Sequence, residues 1–235
     1  MEHMIKIRPL PVMATLIGRQ TRWCGSTGKY WWSVLHHSFL VENIVSDITE
    51  DKKLRVRDAA RLYALIHNLH EAVTNDIPSP LKSQRIRSCQ EEIDQRLYEL
   101  MQVPEPPTQY KSFVKQADLR AMWAEACVLQ DPYINPEHVF PVLNTEKREV
   151  EYAPADQRRD KAHVRAILEQ YGSATMTQSI YSRGVQDYVE QVMAAVANVR
   201  RLTEDHYSRQ SPYLRGIKLD VAPFIPNPEP EEVAA

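Results

Sequence analysis

Apolar residues recur at helical spacing over long stretches of this chain, and the pattern predicts a mostly α-helical protein. Residues 1–21 read as irregular, with Pro9 and Pro11 among them, and 22–29 read as a loop in which Gly25 and Gly28 permit tight turns. A helix is predicted over 30–49, with Ser33 as its N-cap and Val34, His37, Val41, Ile44 and Ile48 on one stripe. That stripe turns His37 inward and His36 away by roughly 100°, to the surface. A second helix is expected over 57–73, with Ala60, Tyr63, Ala64, Ile66 and Leu69 on its apolar side. Asn75 and Asp76 break it, and Pro78 and Pro80 keep the following segment extended. On this reading His67 and Glu71, four residues apart, stand one above the other on a single helix face.

Further helices are predicted over 88–101, with Ile93, Leu97, Leu100 and Met101 inward, and over 112–129. The latter is lined by Val114, Ala117, Ala121, Met122, Ala124 and Val128, with Asp118 in the middle of that apolar side. Aspartate has poor helix propensity, and burying it unpaired is costly, so its position asks for a partner. Residues 130–155 carry prolines and short apolar runs and read as mainly loop. Helices follow over 158–171 and 177–202, and the tail from 206 has too little apolar content to fold alone.

Composition narrows the function classes. With 235 residues, 43% of them hydrophobic, the chain can bury a real core. A net charge of -2 offers no broad basic surface for nucleic acid or an anionic membrane. No apolar run is long enough to span a bilayer, and the first residues resemble no secretory leader. Cys24, Cys89 and Cys127 lack CxxC spacing and fit reduced thiols, so a cytoplasmic location is expected. The GSTGK segment at 25–29 has its glycines too close for a phosphate-binding P-loop, and Tyr30 follows the lysine.

The candidate chemistry lies on three helices that should share one core: His37 on the first, His67 and Asn68 on the second, Asp118 on the third. Imidazole and carboxylate ligands suit divalent Mn, Co, Fe, Ni or Zn. Such an ion would acidify water for attack, and Glu71 is placed to orient or deprotonate that water. A buried, hydrogen-bonded core histidine is the alternative reading of His37. His70 is read as a surface residue, with substitution as a ligand as its alternative.

Taken in series, the motifs are Arg22-Trp23, His37 fifteen residues on, His67-Asn68-x-x-Glu71, Asn75-Asp76-Ile77-Pro78-Ser79-Pro80-Leu81-Lys82 and Lys115-Gln116-Ala117-Asp118. This series resembles the HD-domain phosphohydrolases, in particular the 5'-deoxynucleotidase branch, members of which are often carried by prophages. That branch reads R-[WF], H, H-D-x-x-E-x-x-x-x-D-[LI]-P-x-P-[VL]-K and K-x-A-D, and the match runs from residue 22 to 129. The resemblance implies an all-α HD-domain helical bundle, with a layout compatible over 1–172; the helical C-terminal extension over 173–205 and the irregular tail over 206–235 lie outside it and rest on periodicity and composition alone. It implies one divalent metal ion (Co, Mn or similar, with Mg an option) held by His37, His67, the residue at 68 and Asp118. Glu71 would serve the attacking water, and Asp76 would contact the sugar hydroxyl or assist the leaving group. Arg22 would bind phosphate and Trp23 would shape the sugar pocket. Lys82 and Lys115 are each either a phosphate contact or a solvated surface lysine.

The family's aspartate is replaced here by Asn68. The amide can still coordinate through Oδ1, but it removes one of two anionic ligands, so metal affinity should fall. Three functions follow as expectations. The first is hydrolysis of deoxynucleoside monophosphates to deoxynucleoside and phosphate. The second is release of triphosphate from dNTPs. The third, motivated by Asn68, is a catalytically silent nucleotide-binding protein. The partners expected are a small-molecule deoxynucleotide and a second copy of the chain, through the long helix over 177–202, with no nucleic acid and no membrane.

Overall fold

The computed structural model describes residues 7–25, 27, 30–129, 152–171 and 178–210, with side chains left aside at 24, 79, 178–181 and 203–210. Its architecture is an all-α bundle: α1 (Leu10–Arg19), α2 (Val34–Ile48), α3 (Leu54–Ile66), α4 (Glu71–Thr74), α5 (Gln84–Met101), α6 (Thr108–Leu129), α7 (Pro154–Tyr171) and α8 (Gln178–Gln210). Short 3-10 turns occupy Arg22–Gly25 and Ser79–Leu81. Among the described residues there is no strand, only an isolated bridge between Thr21 and Ser33. No helix among them is long and apolar enough to cross a membrane.

α2 is the axis of the bundle, packed by α1, α3, α6, α7 and α8. Its start is encoded locally by a reciprocal capping box: the His36 N–H reaches the Ser33 hydroxyl, and the Ser33 N–H donates to His36 Nδ1 at 3.2 Å. Because helices cover it on several sides, α2 buries almost every residue from Val34 to Val45 and not one stripe alone. This corrects the surface placement of His36, which is buried against Trp32 and Tyr171, its ring 5.4 Å from the indole and stacked at 6.2 Å on the phenol.

The amino-terminal segment is a helix, where irregular chain was expected. Pro9 caps α1 and Pro11 lies in its first turn, where a missing N–H leaves no bond unmade. Leu10, Met13, Ala14 and Ile17 then form the apolar side. α3 begins at Leu54 and stops at Ile66, well short of residue 73. At its end His67 Nδ1 donates to the Ala64 carbonyl at 2.6 Å, the acceptor that Asn68 N–H would take in a continuing helix. The chain tightens into bonds from Leu69 N to Ile66 O and from Glu71 N to Asn68 O, and only then resumes as α4. Asn75 ends α4 at φ 64, a left-handed φ that asparagine tolerates.

α5 and α6 each start four residues before the expected positions, α5 behind a Ser83 cap. Leu100, expected inside, is exposed. α6 is pinned to α7 by a bidentate Arg120–Asp160 pair, both bonds at 2.8 Å. α8 runs to Gln210, so the first residues of the expected tail are helical. Its Tyr188, Val192, Val196 and Val199 join the same core as Leu35 and Leu65, and Tyr188 OH donates to Leu65 O. The apolar stripe of the long helix is therefore used within the chain, and a dimer through this helix would have only its outer face. Of the expected loop over 130–155, residues 130–151 lie outside the described residues, as does the tail from 211; α7 opens at Pro154, within that expected loop and ahead of its expected start at 158.

Candidate metal centre

His37, His67 and Asp118 meet where α2, the end of α3 and α6 converge, one ligand atom of each lying within 4.8 Å of the others. Both imidazoles are fixed by a bond at Nδ1. His37 donates to Glu125 Oε1 at 2.6 Å, and His67 donates to its own helix at Ala64 O. Each ring thus turns Nε2 to the centre; that of His67 is buried with no hydrogen-bond partner, and that of His37 is buried with only the Asp118 carboxylate before it. Buried polar atoms are rarely left so, and two of them facing one carboxylate fit a cation. The Asp118 oxygen lies 3.2 Å from His37 Nε2 and its side chain keeps partial access to solvent. Such a group can hold a metal ion.

The electrostatics follow from this packing. Burial alone would push His37 down and Arg22 adds to that, yet the Glu125 and Asp118 carboxylates outweigh both and hold it above its ordinary value. His67 lacks a comparable anion: burial, with His37 beside it, brings it down to about 3, so its ring is neutral at physiological pH. Burial opposes charge on Asp118, but His37, His67 and Lys115 hold it well below the usual carboxylate range.

Around the triad the structure collects most of the remaining candidates. Arg22 is nearly enclosed; Glu125, Asp76, Asp118 and Glu71 all act on its charge, and Nε donates to Glu125 Oε2 at 3.2 Å. Trp23 donates to the same oxygen at 3.0 Å and has φ 58, a strained conformation for a bulky residue. Glu71 is buried, its Oε1 lies 3.6 Å from Lys82 Nζ, and its Oε2 has no hydrogen bond. Burial raises its carboxyl above the ordinary value and Asp76 adds to the rise, against Arg22, His70 and Lys82. Lys82 is thus drawn in against Glu71, while Lys115, its side chain 62% exposed, pairs with Asp118 across one helical turn at 3.7 Å.

Two expectations need correction. Glu71 does not continue the helix that bears His67; a turn separates them, and Gln20 Nε2 braces the Glu71 carbonyl at 2.8 Å. His70 is buried and faces Asp94 on α5 at 3.0 Å, outside the triad. Asn68 is half-buried in the turn after His67. Sequence reading missed Glu125, which is fully buried and bonded to His37, Arg22 and Trp23. The signal was available: Glu125 lies two helical turns after Asp118 on the same side of α6, a carboxylate among Ala121, Ala124 and Val128. Compared with known proteins, the sequence matches no family model and no curated protein.

Proposed function

We propose that this chain is a metal-dependent phosphohydrolase of the HD type that removes the 5'-phosphate from deoxynucleoside monophosphates. The observation that carries it is the convergence of two buried Nε2 atoms on one carboxylate, that of His67 without a partner and that of His37 facing only Asp118. His37, His67 and Asp118 would hold one divalent ion, with Asn68 Oδ1 as a neutral fourth ligand. When bound, the ion supplies Lewis-acid activation of water and phosphate. Glu71, its basicity raised by burial, takes the proton of the attacking water. Arg22 and Lys82 neutralise the phosphate, and Trp23 and Asp76 receive the sugar. The phosphorus gains the water oxygen and loses the 5'-oxygen, which leaves as the deoxynucleoside with the proton that Glu71 took from the water.

Asn68 favours a second reading, a nucleotide-binding protein without turnover, because it removes an anionic ligand from the set. The test is phosphate and triphosphate release from dNMPs, NMPs and dNTPs with Mn²⁺, Co²⁺ or Mg²⁺, run also on Glu71→Ala and Asn68→Asp. Phosphate release from dNMPs that Glu71→Ala abolishes is the expected result. Triphosphate release would move the substrate to dNTPs. Silence of the natural chain with activity in Asn68→Asp would establish the second reading.

A further inference from the structure

One buried carboxylate touches both halves of the site. Glu125 has no solvent exposure, and its two oxygens serve different clients: Oε1 accepts a hydrogen bond from His37 Nδ1 at 2.6 Å, while Oε2 accepts from Arg22 Nε at 3.2 Å and Trp23 Nε1 at 3.0 Å. His37 sits on the metal side, and Arg22 and Trp23 form the 3-10 turn on the substrate side. Trp23 is also the residue held at φ 58, a conformation that persists only where surroundings impose it. Three donors converging on one enclosed anion make an anchor with no slack.

We propose that Glu125 is the positioning residue of this site, fixing His37 with Nε2 toward the metal and, through its other oxygen, fixing Arg22 and Trp23 toward the substrate. Only a carboxylate can do both, because it presents acceptors on both oxygens. A glutamine presents one acceptor and one donor. Its carbonyl would go to the side with two donors, Arg22 and Trp23, which turns the amide NH2 toward His37 Nδ1. His37 must then accept at Nδ1 and carry its proton on Nε2, the nitrogen that should ligate. Glu125→Gln is thus a nearly isosteric change that blocks a metal ligand from behind. Removing partners of this kind typically weakens metal binding about 10- to 100-fold.

The metal arm of this inference rests on the metal reading proposed above, whereas the grip on Trp23 does not. The experiment uses the full chain and three variants, Glu125→Gln, Glu125→Asp and His70→Gln, the last changing a buried histidine outside the triad. Mn²⁺ affinity is measured by titration calorimetry, and the ring nitrogens of His37 by ¹⁵N NMR of the Zn²⁺-loaded protein. The Trp23 indole N–H is followed in the metal-free protein. The expected wild-type spectrum shows His37 ligating through Nε2 with an exchange-protected proton on Nδ1. Glu125→Gln should lose that proton signal and about 10- to 100-fold in Mn²⁺ affinity, while Glu125→Asp keeps the signal and His70→Gln keeps the affinity. Wild-type ligation through Nδ1 overturns the proposal without any variant, even if Glu125→Gln fails to fold. Wild-type affinity in a folded Glu125→Gln overturns it as well. A wild type that binds no metal sinks the metal reading alone. The Trp23 resonance then decides: a shift in Glu125→Gln supports the anchor, and an unchanged one refutes it.

Discussion

The two histidines of the candidate centre are held in opposite ways. His67 is oriented by a carbonyl three residues back in its own helix, and His37 by a carboxylate 88 residues away on α6. The first restraint exists as soon as the end of α3 forms. The second exists only once α2 and α6 have docked. Their electrostatics diverge for the same reason: His37, between two carboxylates, is raised, while His67, with only a carbonyl behind it, falls to about 3. A local tie makes a neutral, oriented imidazole cheaply. A tertiary tie makes one that also reports on, and depends on, the packing of the whole bundle.

The sharpest way to break this contrast is to delete the distant tie. Glu125→Ala leaves Arg22 and His37 without their buried anion, and a loss of about 3–5 kcal/mol is expected in urea unfolding of the metal-free protein. His67→Gln removes only a local bond and should lower stability by about 1 kcal/mol, although it takes away one of the proposed metal ligands. Equal losses would erase the distinction.

A smaller effect tests the capping side of α2. His36 is buried and brought down to about 4, mainly by burial, with Glu125 opposing the fall. Its folded value lies below the ordinary imidazole value of 6.5, so between the two the unfolded chain takes up the proton and the folded one does not. Stability is therefore full above about pH 6.5 and declines as the pH falls towards 4, by on the order of 3 kcal/mol. His36→Gln keeps an acceptor for the Ser33 N–H and cannot charge, so its stability should vary less over that window. His67, also depressed, is unchanged in this variant, and the difference between the two pH profiles isolates His36.

Asn68→Asp restores an anion on the locally tied side, and Mn²⁺ affinity should tighten about tenfold, or about 1.4 kcal/mol, by the same calorimetric titration. No change would place Asn68 outside the ligand set. The smallest effect is expected at Lys82, whose enclosed ammonium lies 3.6 Å from the buried Glu71 without a hydrogen bond: because the raised carboxyl can take up a proton once the cation is gone, Lys82→Ala should cost only about 1 kcal/mol of stability. It should nevertheless raise Glu71 further and move the acidic limb of the kcat/KM profile to higher pH, since the carboxylate is the active form.

Much of the framework was legible before any coordinates. The helical class, the Ser33 cap, the inward His37 and the inward Asp118 all follow from spacing and from local hydrogen-bond chemistry, which act within a few residues of the chain. Local rules also mislead where two readings compete: Pro9 and Pro11 suggested irregular chain and instead open α1, and an apolar rhythm continuing past Ile66 concealed the turn that separates His67 from Glu71.

What the sequence determined by itself is the set of side chains and the faces they occupy on individual helices. Only the tertiary structure decided which faces meet. It enclosed His36 by covering α2 on several sides, turned His70 to Asp94, and brought Glu125 under His37, Arg22 and Trp23. The physical reason is one of range. Periodicity and capping are set by neighbours three or four residues apart, whereas burial and the pairing of a carboxylate with three distant donors are set by helix docking, which no local pattern encodes.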